Sequence, residues 1–451
     1  MNTSTGICLC LSALVISFGI ACNKGSTPAV HNSPPDAKPL IANDLADSEL
    51  DLLTAAATAN PGDKSKQQAL ADYLLNTGAM EKAITPLTAI LHIDPSNVDS
   101  QLKLGGIYLA ERRYPEAEAV YRSASTKSAN PIAMQGLCAT LIKERRFFEA
   151  RQVGDRALAM QPNDKGSKLL HATAELDFAL QFSDPRAHQA LIHSAIDELN
   201  TLTKSLRVSG DIYFQLGRAA QALFHREESL QYLEKAHQMM PDSGDVARAL
   251  ANSYRVMGHD DLALKMLEEF SKKHPESAAA NDMLGQLLVS SRQPGALSDA
   301  IAAYTRAYKA NQKDSNVCEH LGAAFEKAQD LPRARLLYER ATQLNPYHAY
   351  AFQKLALVYT RLGEPKLARQ ASDCADKMAF NEQQLKTILE LSSKHPSDVN
   401  LHLIIAERYR DMKQVVAARE EYLLVLQQDP GNKRVPKEIV TGAAGSDRQV
   451  H

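Results

Sequence analysis

Tryptophan is absent from this 451-residue chain, and aromatic residues make up only 6% of it. A surface that stacks on sugar rings has few residues to draw on. An excess of one charge is missing too: the formal net charge is −2 at pH 7, which gives no electrostatic footprint for nucleic acid as a partner. Motifs that carry chemistry are also lacking. There is no Gly-rich phosphate loop after a strand, no His-Glu-x-x-His, no Cys-x-x-Cys and no Gly-x-Ser-x-Gly. The 14 histidines are scattered, His171 alone on its segment and His188 and His193 five apart. They read as surface or partly buried side chains. No catalytic residue, cofactor or metal is expected. Of six cysteines, Cys138, Cys318 and Cys374 lie far apart where a small apolar residue is wanted, and read as free buried thiols. Alternating segments of the β type are not seen.

What the sequence does contain is a unit, clearest at Ser315–Pro346. Leu321, Gly322 and Phe325 share one face of a first helix. Ala334, Leu337, Tyr338, Ala341 and Leu344 recur at the helical period in a second. Between them Asp330 suits an N-cap and Pro332 a first turn. Asn345–Pro346 ends the unit, since a residue before proline is pushed out of the α region. One such pair cannot bury its own apolar face.

The unit repeats every 34 residues: Pro61 and Pro95, Pro241 and Pro275, and Pro396 and Pro430 are each that far apart. Within the period the order of small and large residues recurs. One copy has Leu104, Gly105, Tyr108, Ala117, Tyr121 and Ala124; another has Leu250, Ala251, Tyr254, Ala263 and Leu267. This pattern resembles the tetratricopeptide (TPR) repeat over about residues 45–430. The resemblance implies an all-α fold, a right-handed superhelical solenoid of about ten TPR helix-turn-helix repeats. A stack in which each repeat touches only its neighbours also accommodates a chain too long for one core.

At the N-terminus Ile7–Ala21 is an uncharged run of apolar and small residues, the length of a signal-peptide core and short for a membrane span. It ends at Ala21–Cys22 before polar residues, and is similar to the lipobox of exported bacterial TPR lipoproteins. That resemblance implies lipidation at Cys22 and a membrane anchor facing the periplasm, with the outer membrane favoured. Ordinary cleavage, giving a periplasmic or secreted chain, and an uncleaved anchor are the alternatives. Residues 1–22 are thus assigned to a signal peptide and 23–42, with four prolines, to a disordered tether.

The solenoid is expected over 43–430. A cap helix at 43–59 precedes repeats near 64–95, 98–129 and 131–162. An irregular unit at 165–206 splits at Ser183–Asp184–Pro185, with both helices lengthened. Repeats follow near 210–241, 244–275, 278–312, 315–346 and 349–380, with a small insertion at Gln293–Gly295. An extra helix at 382–394, a last repeat at 399–430 and a flexible tail at 431–451 complete the chain.

The first helices of a TPR array line its inner groove. Arg218, Arg248, Asn252 and Arg255 fall there in adjacent repeats, and guanidinium groups facing one groove suit a carboxylate or an acidic segment. They faintly resemble the carboxylate clamp of chaperone-binding TPR domains, although Asp282, Gln286, Asn316 and His320 leave the clamp incomplete. Solvated surface residues with local acidic partners explain them as well. Leu102 and Leu109 offer either an apolar ledge for a partner or ordinary core packing. The expectation is a non-enzymatic scaffold of the bacterial cell envelope that holds a protein or peptide partner. The alternative is a glycan- or peptidoglycan-binding component of polysaccharide export.

Overall fold

The computed structural model describes residues 41–128, 130–180, 189–204, 208–291, 295–395, 397–412 and 414–436. Among them are 21 helices and no strand. They divide into two compact units, the first ending at Ala174 and the second beginning at Glu175. Residues 1–40, the Ser183–Asp184–Pro185 break and Gln293–Pro294 lie outside the described residues.

In the first unit α1 (Ile41–Ala59) precedes three antiparallel pairs: α2 (Lys64–Asn76) with α3 (Met80–Ile93), α4 (Val98–Ala110) with α5 (Tyr114–Ser128), and α6 (Pro131–Lys143) with α7 (Phe147–Met160). The boundary between the units falls inside α8 (Lys165–Leu180). The second unit continues with α9 (Gln189–Thr203), then pairs α10 (Gly210–Ala222) with α11 (Arg226–Met239) and α12 (Gly244–Val256) with α13 (Asp260–Lys273). Next come α14 (Ala278–Ser290) with α15 (Ala296–Ala310) and α16 (Ser315–Lys327) with α17 (Leu331–Leu344). The last pairs are α18 (Ala349–Arg361) with α19 (Pro365–Lys394) and α20 (Val399–Asp411) with α21 (Val415–Gln428). The fold is an all-α repeat solenoid.

Local chemistry sets where the helices start and stop. Asp63, Asn97, Asn130, Asp314 and Asp398 each accept backbone N–H bonds at the N-terminus of a first helix, and Asp330 does so for α17. The first helices end in a shared turn. Gly78, Gly258 and Gly363 have φ of +77°, +79° and +76°, and Arg112, Arg145, Phe224 and Gln329 occupy the same place at +60° to +63°. The next residue's N–H reaches back five residues into the helix, as from Ala79 to Leu74 O (2.8 Å) and from Arg113 to Tyr108 O (2.8 Å). This is a Schellman closure, which requires the left-handed conformation.

The two helices of a pair approach where one carries glycine. A Cβ on Gly105 would lie 2.7 Å from the Tyr121 ring, and one on Gly136 would overlap the same ring. A Cβ on Gly285 would meet Tyr304 at 2.5 Å. With no tryptophan to fill the repeat junction, buried amides in one register bind the preceding turn: Gln67 Nε2 to Ala57 O (3.0 Å), Gln101 Nε2 to Pro95 O (3.1 Å) and Asn281 Nδ2 to Pro275 O (3.1 Å). Tyrosines add a second stitch between repeats, Tyr254 OH donating to Glu234 (3.0 Å) and Tyr359 OH to Glu339 (2.8 Å).

Three expectations are corrected. The extra helix at 382–394 is the second half of α19, a continuous 30-residue helix. No glycine or proline interrupts Lys366–Lys394, so nothing stops it. Its second half carries Leu385, Ile388 and Leu389 onto Ile405, Tyr409 and Met412. In the irregular unit α8 runs to Leu180 and α9 from Gln189, and the residues between them lie outside the described ones. The chain stays packed past 431, since Val435 is buried with Leu403 and Tyr422 and Arg434 pairs with Glu407 at 3.1 Å. Finally, Cys374 is exposed, because Ala371 and Ala375 occupy the inward face of α19. Cys138 and Cys318 are buried, and burial pushes their thiols up to about 12 and about 11.

Three substitutions check this account. Arg112 is exposed with a left-handed backbone, so Arg112→Gly should raise stability by about 0.5–1 kcal/mol. Gly258→Ala, whose Cβ would meet nothing within 4 Å, should lower it by about 1 kcal/mol through backbone strain alone. Gly136→Ala drives a methyl into Tyr121 and should cost about 1–3 kcal/mol. Denaturant midpoints of the three variants against the parent chain give all three signs.

Candidate interaction surface

Within each unit the first helices of neighbouring repeats touch one another, α4 with α6, α10 with α12, α12 with α14 and α14 with α16. Among the described residues the second helices make no comparable contact with each other. The first helices therefore sit on the inner side of the local curvature, and their free faces converge.

On α12, Arg248, Asn252 and Arg255 follow at i, i+4 and i+7, one face of the helix. Arg255 Nη2 donates to Asn252 Oδ1 at 2.8 Å. Arg248 is exposed and forms no hydrogen bond or ion pair among the described residues. Arg218, on α10, is already engaged. Its Nη2 lies 2.6 Å from Asp177 Oδ1, its Nη1 donates to Gln215 at 2.9 Å, and its guanidinium lies over Phe214 at 5.8 Å. The structure thus groups Arg248, Asn252 and Arg255 and leaves Arg218 in an internal ion pair. Asp177 was missed because it lies in the irregular unit, outside the regular spacing.

Beyond α12 the inner face changes sign. Asp282 stands 34 residues after Arg248 and Glu319 a further 37, the difference reflecting the insertion before Gly295. Asp282 faces His320 Nδ1 at 2.7 Å and accepts from Gln286 at 2.9 Å. Glu319 faces His348 Nε2 at 3.0 Å. Of the four positions that leave the clamp incomplete, Asp282, Gln286 and His320 are bonded together. Glu319 could have been found by carrying the register of Arg248 through the insertion.

Leu102 and Leu109 are 6% and 5% exposed and belong to the core with Leu137 and Leu141, so packing accounts for them. Cys22 lies outside the described residues. Among the described residues no group of three or more His, Cys, Asp or Glu could hold a metal ion, and no helix is long and apolar enough to cross a membrane.

Comparison with known proteins places this geometry. Tetratricopeptide-repeat family models match residues 68–131 and 213–287. The chain is 25% identical over 268 residues to the Protein CTR9 homolog of Arabidopsis thaliana, covering 56% of this chain and 23% of that protein. It is 29% identical over 136 residues to Bacteriophage adsorption protein A of Escherichia coli, covering 30% and 13%. It is 21% identical over 373 residues to Tetratricopeptide repeat protein 21A of Mus musculus, covering 80% and 24%. The chain thus spans less than a quarter of the length of each of these relatives. Among solved structures, a tetratricopeptide repeat protein from Parabacteroides merdae shares 15% identity, with 58% of this chain and 98% of that one covered at a TM-score of 0.46. The human IFIT1 dimer with m7Gppp-AAAA shares 16%, with 84% and 95% covered at 0.48. With the repeated helix pairs, the shared turn and the two family matches in agreement, this chain is a tetratricopeptide repeat protein.

Proposed function

We propose that the chain is a non-enzymatic scaffold of the bacterial cell envelope, which holds an acidic segment of a partner protein against α12 in the second unit. Arg248 carries this reading. It is an exposed guanidinium on the inner face with no ion-pair partner among the described residues, one turn from Asn252 and two from Arg255. Arginine presents a fork that binds carboxylates through two parallel bonds. Export rests on the sequence alone, on the run Ile7–Ala21 and Cys22 as the lipidation site. A second reading, glycan binding, has Tyr350 in its favour, an aromatic ring 45% exposed on the first turn of α18.

Crosslinking of the full chain in cells, followed by identification of the captured molecules, tests the main reading. Arg248→Glu with Arg255→Glu should reduce capture of a protein partner at least about tenfold, the effect of losing about 1.4 kcal/mol. Capture that is unaffected by the double reversal, or capture only of glycan that Tyr350→Ala abolishes, would overturn it. Localisation is tested separately. Labelled fatty acid should enter the wild-type chain and be absent from Cys22→Ala, and equal labelling of the two would remove the lipid anchor.

A further inference from the structure

An alternating chain of carboxylate and imidazole crosses three repeats on the inner face of the second unit. Asp282 on α14 meets His320 on α16 at 2.7 Å. Glu319, the residue before His320, meets His348 at 3.0 Å, and His348 is the N-cap of α18. All four are partly or largely shielded, with side chains 15%, 29%, 12% and 22% exposed in the order Asp282, His320, Glu319, His348. At such sites charge–charge attraction is less screened than at the surface. The other ionisable groups facing His320 are Tyr304 from α15, its ring 5.7 Å from the imidazole, and Asp314 in the turn before α16.

Two repeat junctions of the first unit are bridged by permanent cations, although His171 on α8 also meets Asp155 on α7 at 3.1 Å. Lys103 pairs with Asp72 at 2.9 Å, and Arg146 with Glu118 at 2.7 Å. These cations stay charged throughout the range in which histidine titrates.

We infer that the Asp282–His320 pair, with Glu319 beside it, is a pH-sensitive clasp: protonation of His320 tightens the stacking of α14 on α16, and its deprotonation loosens it. Burial works against the imidazolium, but the hydrogen bond and charge of Asp282, with Glu319 and Asp314, outweigh it and raise the pKa of His320 above its ordinary value. A group whose pKa is raised by folding gives its full stabilisation below the unfolded value, about 6.5. That stabilisation is lost as pH rises through the folded value. The neutral ring still keeps one N–H for Asp282, so the pair weakens without disappearing.

Hydrogen exchange of the full-length chain, corrected for intrinsic rates, at about pH 6 and about pH 8 tests this across the imidazole range. Protection in α14 and α16 should fall severalfold at the higher pH, while α4 and α6 should not change. His320→Gln should abolish the difference, and so should Asp282→Asn, which keeps a hydrogen-bonding side chain without the charge. A pH response of the same size in either folded variant, or greater protection at the higher pH, would overturn the clasp. An NMR titration of His320 in the wild-type chain decides the matter if both variants unfold. A pKa above that of unfolded histidine supports the clasp, and one at or below it refutes it. None of these readouts depends on a partner.

Discussion

The close approach of the two helices in each repeat is the constraint on which the structure depends. Tyr121 shows it most directly. Its ring sits against Gly105 of its own repeat and Gly136 of the next, and neither position has room for a methyl group. One side chain therefore fixes both the spacing inside a repeat and the spacing between repeats. The same device recurs with Tyr304 on Gly285, and Leu233 takes the role of the ring against Gly217. Because packing density leaves no slack, each repeat must return its helices to the same relative position. The common period follows from this geometry, and the left-handed turn after seven of the first helices makes the return possible.

That period made the fold legible in the sequence. Small and large residues at fixed offsets reported the helix pairs, and Asp330 and the proline-terminated ends reported boundaries. Where the account failed, the signal was nonlocal or absent. The repeat pattern stops at Ala375 and suggests a break inside α19, yet loss of pattern does not by itself terminate a helix. Val435 looked like part of a tail because its neighbours are polar, and its burial depends on Leu403 and Tyr422 from both helices of the last pair. Cys374 differs from Ala375 by one residue and 100° of helix, which separates solvent from core.

The inner face was legible as a set of positions but not as chemistry. Periodicity puts Arg218 and Arg248 on a common surface and cannot say which one meets a carboxylate. That depended on Asp177, outside the regular register, and the 2.6 Å contact takes Arg218 out of any groove. The amides Gln67, Gln101 and Asn281 were likewise invisible as a class. Their shared role emerges only when each is seen bonded to a carbonyl just before its own repeat. In water-poor junctions such bonds are costly to leave unmade, which explains why a polar side chain occupies a site that an indole would fill.

Charge along the solenoid therefore does two kinds of work. Most inner-face groups are consumed in holding one repeat to the next: Lys103 with Asp72, Arg218 with Asp177, His320 with Asp282, His348 with Glu319. A residue engaged in this way cannot be offered to a partner without loosening the stack that presents it. Arg248 escapes that conflict. Its register equivalents Asp282 and Glu319 are both tied to the following repeat, while Arg248 is exposed and forms no such tie among the described residues. A partner that binds there gains a charge pair without competing with the forces that hold the repeats together, so recognition and stability can be met by different residues of the same helices.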